Sequence, residues 1–180
     1  MLEQARTVAA EAHATQLDKL GRNYVDAHLH PIAEAAAVFG TEAEAVGWLH
    51  DILEDTGTTA HELREHGFLD RVVAAVESVT KGPKGEPYDA LISRACAHPL
   101  GRMVKLVDNA WNITCNPDLA QQDPTKAREL MADKYVPARA RILEACGFTV
   151  DSPEVLQMQT ILDQHLARLQ STADPETRVP

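Results

Sequence analysis

The densest polar cluster in an otherwise apolar stretch is Trp48-Leu49-His50-Asp51-Ile52-Leu53-Glu54-Asp55-Thr56. On one continuous helix, His50 and Glu54 share a face, and so do Asp51 and Asp55. Four groups able to bind a cation or move a proton then project from two successive turns. The run before them, Ala43 to Leu49, is largely apolar and is expected to be buried. Ionisable groups at the end of a buried helix are costly unless something compensates them. A divalent cation does so efficiently, because it neutralises carboxylates and accepts imidazole together. The competing reading is an exposed acidic helix end, with His50 a hydrogen-bonded core histidine.

Two further clusters stand out. In Val104-Lys105-Leu106-Val107-Asp108-Asn109-Ala110-Trp111-Asn112, Asp108 lies among apolar residues, and Asn112 follows one turn later on the same face. A carboxylate inside an apolar helix needs a partner, either a hydrogen-bond donor in helix packing or a metal. In Tyr24-Val25-Asp26-Ala27-His28-Leu29-His30-Pro31-Ile32-Ala33, two histidines lead into a helix and are able to complete a mixed nitrogen–oxygen site.

Taken in order, a histidine near a helix start, an adjacent His-Asp pair and a distant lone Asp form an H…HD…D pattern. This resembles the HD-domain metal-dependent phosphohydrolases. His50-Asp51-Ile52-Leu53-Glu54-Asp55-Thr56 resembles the alarmone-hydrolysing branch, the hydrolase half of the bifunctional RelA/SpoT enzymes. Ala12-His13 with Gln16, Asp18-Lys19-Leu20-Gly21 with Tyr24, Val79-Thr80-Lys81, and Lys105-Leu106-Val107-Asp108 with Asn112 match further segments of that branch in the same order. The resemblance covers about residues 10–146. No synthetase domain follows, so the nearer likeness is to the stand-alone small alarmone hydrolases.

The resemblance implies an all-α HD-domain bundle and one divalent cation, Mn2+ by its ligand chemistry, held by His28, His50, Asp51 and Asp108. His30-Pro31 reproduces the family's His-Pro dipeptide and is the alternative first ligand. His28 fits the register into the helix and the separation from His50 better. Glu54 and Asp55 are then the groups that orient and deprotonate water or protonate the leaving oxygen. Lys19 and Lys81 are expected on the pyrophosphate, Asn112 on the sugar or its phosphates, and Tyr24 beside the base. The implied reaction removes the 3′-pyrophosphate of ppGpp or pppGpp. One alternative is an HD phosphohydrolase for another nucleotide. The other is a non-catalytic, antitoxin-like nucleotide-binding module, which the presence of both Glu54 and Asp55 disfavours. The chain departs from the family where Leu17-Asp18 precedes Lys19, where Asn23 precedes Tyr24, and at Thr114. Each departure removes a positive or stacking group near the nucleoside.

These residues need helices to position them. Ala, Leu, Glu and Arg dominate, alternation of β-branched residues is almost absent, and aromatics are only 4%, which together predict an all-α fold. Helices are expected over 2–16, 28–39, 42–54, 59–66, 68–79, 88–97, 99–114, 124–145 and 153–171. Thr59-Ala60-His61-Glu62 fits a capping box. Gly40, Gly67 and Gly147 each follow an apolar periodic run, as helix C-termini require. Asp123-Pro124 and Ser152-Pro153 fit helix starts, and Pro137 is expected to kink or split its helix. Residues 18–24 and 80–87 are expected loops. Residues 1–171 are expected to form a single domain, with 172–180 a flexible tail.

The chain has 180 residues, of which 44% are hydrophobic and 24% charged, enough for a core without staples. No apolar run is long enough to span a membrane, and the charged N-terminus is unlike a signal peptide, so a cytoplasmic protein without membrane contact is expected. Lys and Arg number 17 against 27 Asp and Glu, a net charge of −10, which argues against a nucleic-acid polymer as partner but allows a small nucleotide in a locally basic pocket. Cys96, Cys115 and Cys146 lack metal or redox spacing and are expected to be buried free thiols. Nothing in the sequence indicates an oligomeric partner.

Overall fold

Small residues let the central helices approach closely. The computed structural model describes residues 1–173. Helix α1 spans Leu2–Ala12, α2 His30–Ala36 and α3 Thr41–Leu49. The α2 residues Ile32, Ala33, Ala35 and Ala36 and the α3 residues Ala43, Ala45, Val46 and Leu49 are fully buried. A Cβ on Gly47 would come within 2.8 Å of the Ala33 Cα, so only glycine permits this crossing. Then follow α4 (Ile52–Asp55), α5 (Ala60–Glu65), α6 (Asp70–Val79), α7 (Tyr88–Ala97) and α8 (Pro99–Thr114). Helices α9 (Asn116–Gln122), α10 (Pro124–Leu130), α11 (Val136–Cys146) and α12 (Pro153–Ala173) complete the order. The apolar face of α8, with Val104, Leu106, Val107, Ala110 and Trp111, sits at the centre and packs on α2, α3, α6, α7, α11 and α12.

The expected all-α class holds: the described residues contain no strand beyond an isolated bridge between Leu17 and Asn23, which closes the 18–24 loop. The Thr59–Glu62 capping box forms in both directions. No described helix is long and apolar enough to cross a membrane. Cys96, Cys115 and Cys146 are free, as expected, but only half-buried.

Several boundaries differ from the sequence expectation. Helix α1 stops at Ala12 instead of running to 16. The expected helix 42–54 breaks at the His-Asp pair: α3 ends at Leu49, and Asp51 sits at φ −101°, ψ −3° before α4 begins. A continuous helix would turn adjacent side chains about 100° apart. The break lets His50 and Asp51 face the same point. Helix α9 was not expected, because Asn116-Pro117-Asp118-Leu119-Ala120-Gln121-Gln122 carries a single buried apolar residue, Leu119. The flexible tail expected from 172 yields to α12 for two residues; the rest, 174–180, lies outside the described residues.

Two π-helical turns have a common cause. Val25–Leu29 precedes His30-Pro31, and Met131–Tyr135 precedes Val136-Pro137. Proline has no N–H for the carbonyl four residues back, and its ring crowds that carbonyl. The preceding turn widens to accommodate it. At the first turn, the Ala27 carbonyl that Pro31 cannot bond instead accepts the Trp111 indole N–H from α8 at 3.0 Å. Pro137 thus divides the expected 124–145 helix.

Candidate active site

Two imidazoles and one carboxylate, those of His28, His50 and Asp51, bring their donor atoms within 4.8 Å of one another, beside a cleft of about 540 Å³ that His28, Asp51 and a second carboxylate, Asp108, line. His28 comes from the first π turn, His50 and Asp51 from the α3–α4 break, and Asp108 from the centre of α8. His50 Nε2 lies 2.9 Å from Asp51 Oδ2 and 3.3 Å from His28 Nε2. His28 Nε2 is 3.2 Å from Asp51 Oδ2 and 3.9 Å from Asp108 Oδ1. On its other side, His50 Nδ1 is 2.8 Å from the Gly47 carbonyl, to which it donates, so Nε2 is the nitrogen turned into the site. This orientation, fixed through the far ring nitrogen, is what a metal-ligating histidine requires. The donor set therefore fits a divalent cation with mixed nitrogen and oxygen ligands. His30 lies elsewhere: its ring stacks on Trp48 and its Nε2 is 3.5 Å from Glu34.

The buried charges of this cluster are held by one another. Burial alone would lower the pKa of His50, but Asp51 and Asp108 outweigh it and hold the imidazole at about 9. Burial opposes ionisation of Asp51, yet His50 and His28 keep its carboxyl well below the usual range. Asp108 is also lowered against burial, first by Lys105 and then by the two histidines. Lys105 donates to Asp108 Oδ2 at 2.7 Å, and that carboxylate raises its pKa although burial opposes the charge. An entering dication would take over the role of the imidazole proton.

The other residues singled out in the sequence lie around this centre in differing roles. Glu54 lines the cleft, and its Oε2 accepts the Lys81 backbone N–H at 3.1 Å. Asp55 is not among the lining residues; it accepts Gln16 Nε2 at 2.7 Å, and the Gln16 Oε1 is in turn 2.6 Å from His13 Nδ1. Lys19 and Lys81 both line the cleft, and Lys19 Nζ is 3.4 Å from the Tyr135 hydroxyl. Asn112 lines it too, but its Nδ2 donates to Asp108 Oδ1 at 2.6 Å, which orients that carboxylate. The Tyr24 hydroxyl donates to Asp51 Oδ2, and its ring packs between His13 and His28. Tyr24 thus braces Asp51, a task its expected place beside a base did not include.

Sequence reasoning missed Arg22, Lys105, Lys134, Tyr88 and Tyr135, all of which line the cleft. A signal existed for Lys105, which stands three residues before Asp108 on an apolar helix and is therefore its neighbour. None existed for Tyr135, which only the second π turn brings round to donate to Asn112 Oδ1 at 3.3 Å. Arg22 pairs with Asp18 at 2.8 Å, closing the loop on itself.

No model of a protein family matches the chain. The guanosine-3′,5′-bis(diphosphate) 3′-pyrophosphohydrolase of Aquifex aeolicus (strain VF5) is 30% identical over 152 residues, covering 78% of this chain and 21% of that protein. The probable GTP pyrophosphokinase of Mycobacterium leprae (strain TN) is 31% identical over 144 residues, covering 73% and 18% respectively. The chain thus spans about a fifth of the length of these relatives. The guanosine-3′,5′-bis(diphosphate) 3′-pyrophosphohydrolase MESH1 of Danio rerio is 33% identical over 127 residues, covering 61% of this chain and 68% of that protein. The solved structure of a metazoan ortholog of SpoT, which hydrolyses ppGpp and plays a role in starvation responses, has a TM-score of 0.67 over 93% of this chain and 94% of its own. At 18% identity that likeness shows a common fold.

Proposed function

The chain belongs to the family of the guanosine-3′,5′-bis(diphosphate) 3′-pyrophosphohydrolases, and from that we propose that it hydrolyses the 3′-pyrophosphate of ppGpp or pppGpp, giving GDP or GTP and pyrophosphate. The observation that carries this reading is the cluster of His28, His50 and Asp51, with Asp108 Oδ1 3.9 Å from His28 Nε2, beside a cleft whose wall holds Glu54 and unmatched lysines. Those four residues would hold one divalent cation, and their mixed imidazole and carboxylate donors suit Mn2+ better than a structural zinc held by cysteines. Such an ion, when bound, supplies Lewis-acid polarisation of a phosphate oxygen and a water of lowered pKa.

The chain's own groups do the rest. Glu54, facing the cleft and steadied by the Lys81 backbone, takes the proton from the attacking water and delivers one to the departing 3′ oxygen. Asp55 acts through Gln16, anchoring the turn that carries Glu54 against the segment after α1. Lys19 and Lys81 meet the pyrophosphate oxygens as charge-assisted donors. Asn112 stands between Asp108 and the sugar side of the cleft. Tyr88, with Lys134 Nζ at 5.7 Å from its ring centre, takes the place beside the base expected for Tyr24.

The test is pyrophosphate release from ppGpp by the purified chain. Activity should vanish with a chelator and return with Mn2+. Glu54→Gln should lower kcat by at least about 100-fold, the lower range of general acid–base contributions. Lys81→Ala should lower kcat/KM for ppGpp by roughly 10- to 100-fold and do less to a 3′-monophosphate, because one charge-assisted contact is worth about 1.5–3 kcal/mol. Healthy hydrolysis of a 3′-monophosphate with none of ppGpp would move the substrate to another nucleotide. Binding of ppGpp without turnover would make the chain a binding module.

A further inference from the structure

Away from the cleft, the described residues contain a second group of metal-type ligands. His30 and Glu34 are one turn apart on α2, and His165 reaches them from α12. His165 Nε2 is 2.7 Å and His30 Nε2 3.5 Å from the same oxygen, Glu34 Oε2. The three donor atoms all lie within 4.8 Å of one another. Tetrahedral Zn2+ with bonds of about 2.0–2.1 Å needs donors roughly 3.3 Å apart, so only small side-chain adjustments separate this cluster from a zinc trio of two histidines and one glutamate. The buried His165 and the Trp48 ring, stacked on His30 at 5.5 Å and 13°, hold the imidazoles in place. Glu34 is exposed, which gives an ion its entry path. Beside the cluster is a cavity of about 230 Å³ lined by Glu3, Glu34 and Glu44 with Arg6 as the single basic residue, so the local charge favours a cation.

We propose that His30, Glu34 and His165 form a second divalent-cation site, of zinc type, that ties α12 to α2. The two sites draw on neighbouring residues of the same segments. His30 follows His28 by two residues, and Trp48 precedes His50 by two. An ion at the second site therefore steadies the stretches that carry both cleft histidines, while itself lying outside the cleft. This assignment stands whether or not the chain acts on ppGpp.

Equilibrium dialysis of the whole chain against Zn2+, followed by metal analysis, tests it. Wild type should retain two equivalents. His50→Gln, which damages the cleft centre, should retain one, and His50→Gln with Glu34→Gln should retain none. Zn2+ should raise the Tm of His50→Gln but not of that double variant. Co2+ bound to His50→Gln should show tetrahedral visible absorption that His165→Gln or His30→Gln abolishes. Glu34 is exposed, so Glu34→Gln reports even where a substitution at the buried His165 impairs folding. An unchanged metal count in the double variant, or a single equivalent in wild type that His50→Gln removes, overturns the assignment.

Discussion

Lys105 and Asp108 are both buried within α8, and each is the other's nearest compensation. Breaking one partner of such a pair leaves an uncompensated charge, typically at about 3–5 kcal/mol. Lys105→Met keeps the bulk and removes the charge, so it should destabilise the metal-free protein by roughly that amount in denaturant unfolding. A divalent ion at a hundredfold excess over its Kd should restore about 2.7 kcal/mol, because it supplies the missing positive charge to Asp108. A loss below about 1 kcal/mol would mean that water already screens the pair. At this scale the sequence was informative where chemistry demands a residue type and silent where geometry assigns its partner. His50, Asp51 and Asp108 could be picked out because carboxylates in apolar surroundings need an explanation. The separate places of His28 and His30 depended on helix register, and His28 is the one that faces His50. That Tyr24 serves Asp51, and that Asp55 turns to Gln16, depended on contacts 27 and 39 residues apart in sequence.

Among the elements, the first π turn does most to shape the centre. It exists because Pro31 withholds an N–H, and it is locked because Trp111 supplies one to Ala27. Trp111→Phe would leave the Ala27 carbonyl buried without that donor. We expect a loss of about 1–3 kcal/mol in unfolding free energy, with a larger fall in kcat/KM than a general destabilisation gives, since His28 lies one residue beyond Ala27. Equal activity at a temperature well below the Tm would show that the turn keeps its shape without the indole. Pro137 was visible as helix punctuation and Pro31 only as part of the His30-Pro31 dipeptide, and a proline by itself says only that a hydrogen bond is lost. Whether the chain kinks, splits or widens into a π turn is decided by what can satisfy the freed carbonyl, here a residue 84 positions away. The break at His50-Asp51 was hidden for a similar reason: local propensity favours a continuous helix, and its interruption reflects the shared target of both side chains. Long apolar helices such as α8 carry their own periodic signal, whereas α9, with one buried leucine, does not.

Across the whole molecule, the net charge of −10 is unevenly placed. The cleft is lined by five acidic residues, Asp18, Asp51, Glu54, Glu86 and Asp108, and by five basic ones, Lys19, Arg22, Lys81, Lys105 and Lys134. Its charged side chains therefore balance before any ion binds, and the excess negative charge belongs to residues outside the cleft lining. Arg22 and Lys105 are matched within the lining by Asp18 and Asp108, Glu86 is matched by Arg94 and Asp51 by His50, which leaves Lys19, Lys81 and Lys134 against Glu54 alone to attract phosphates. A polyanionic nucleotide thus meets a repulsive far field and an attractive near one. Salt separates the two, since the Debye length shortens from about 30 Å at 0.01 M to about 8 Å at 0.15 M. Screening removes the long-range repulsion first, while contacts inside the partly buried cleft are screened less. Between those ionic strengths, at constant free divalent metal, kcat/KM for ppGpp should rise by about two- to fivefold. A basic nucleotide-binding surface would show the opposite slope. Lys134→Ala should lower kcat/KM at every salt concentration yet leave the upward slope in place, because it removes a near contact and adds to the net negative charge. A steep fall of wild-type kcat/KM with salt would show instead that the cleft lysines govern encounter from a distance.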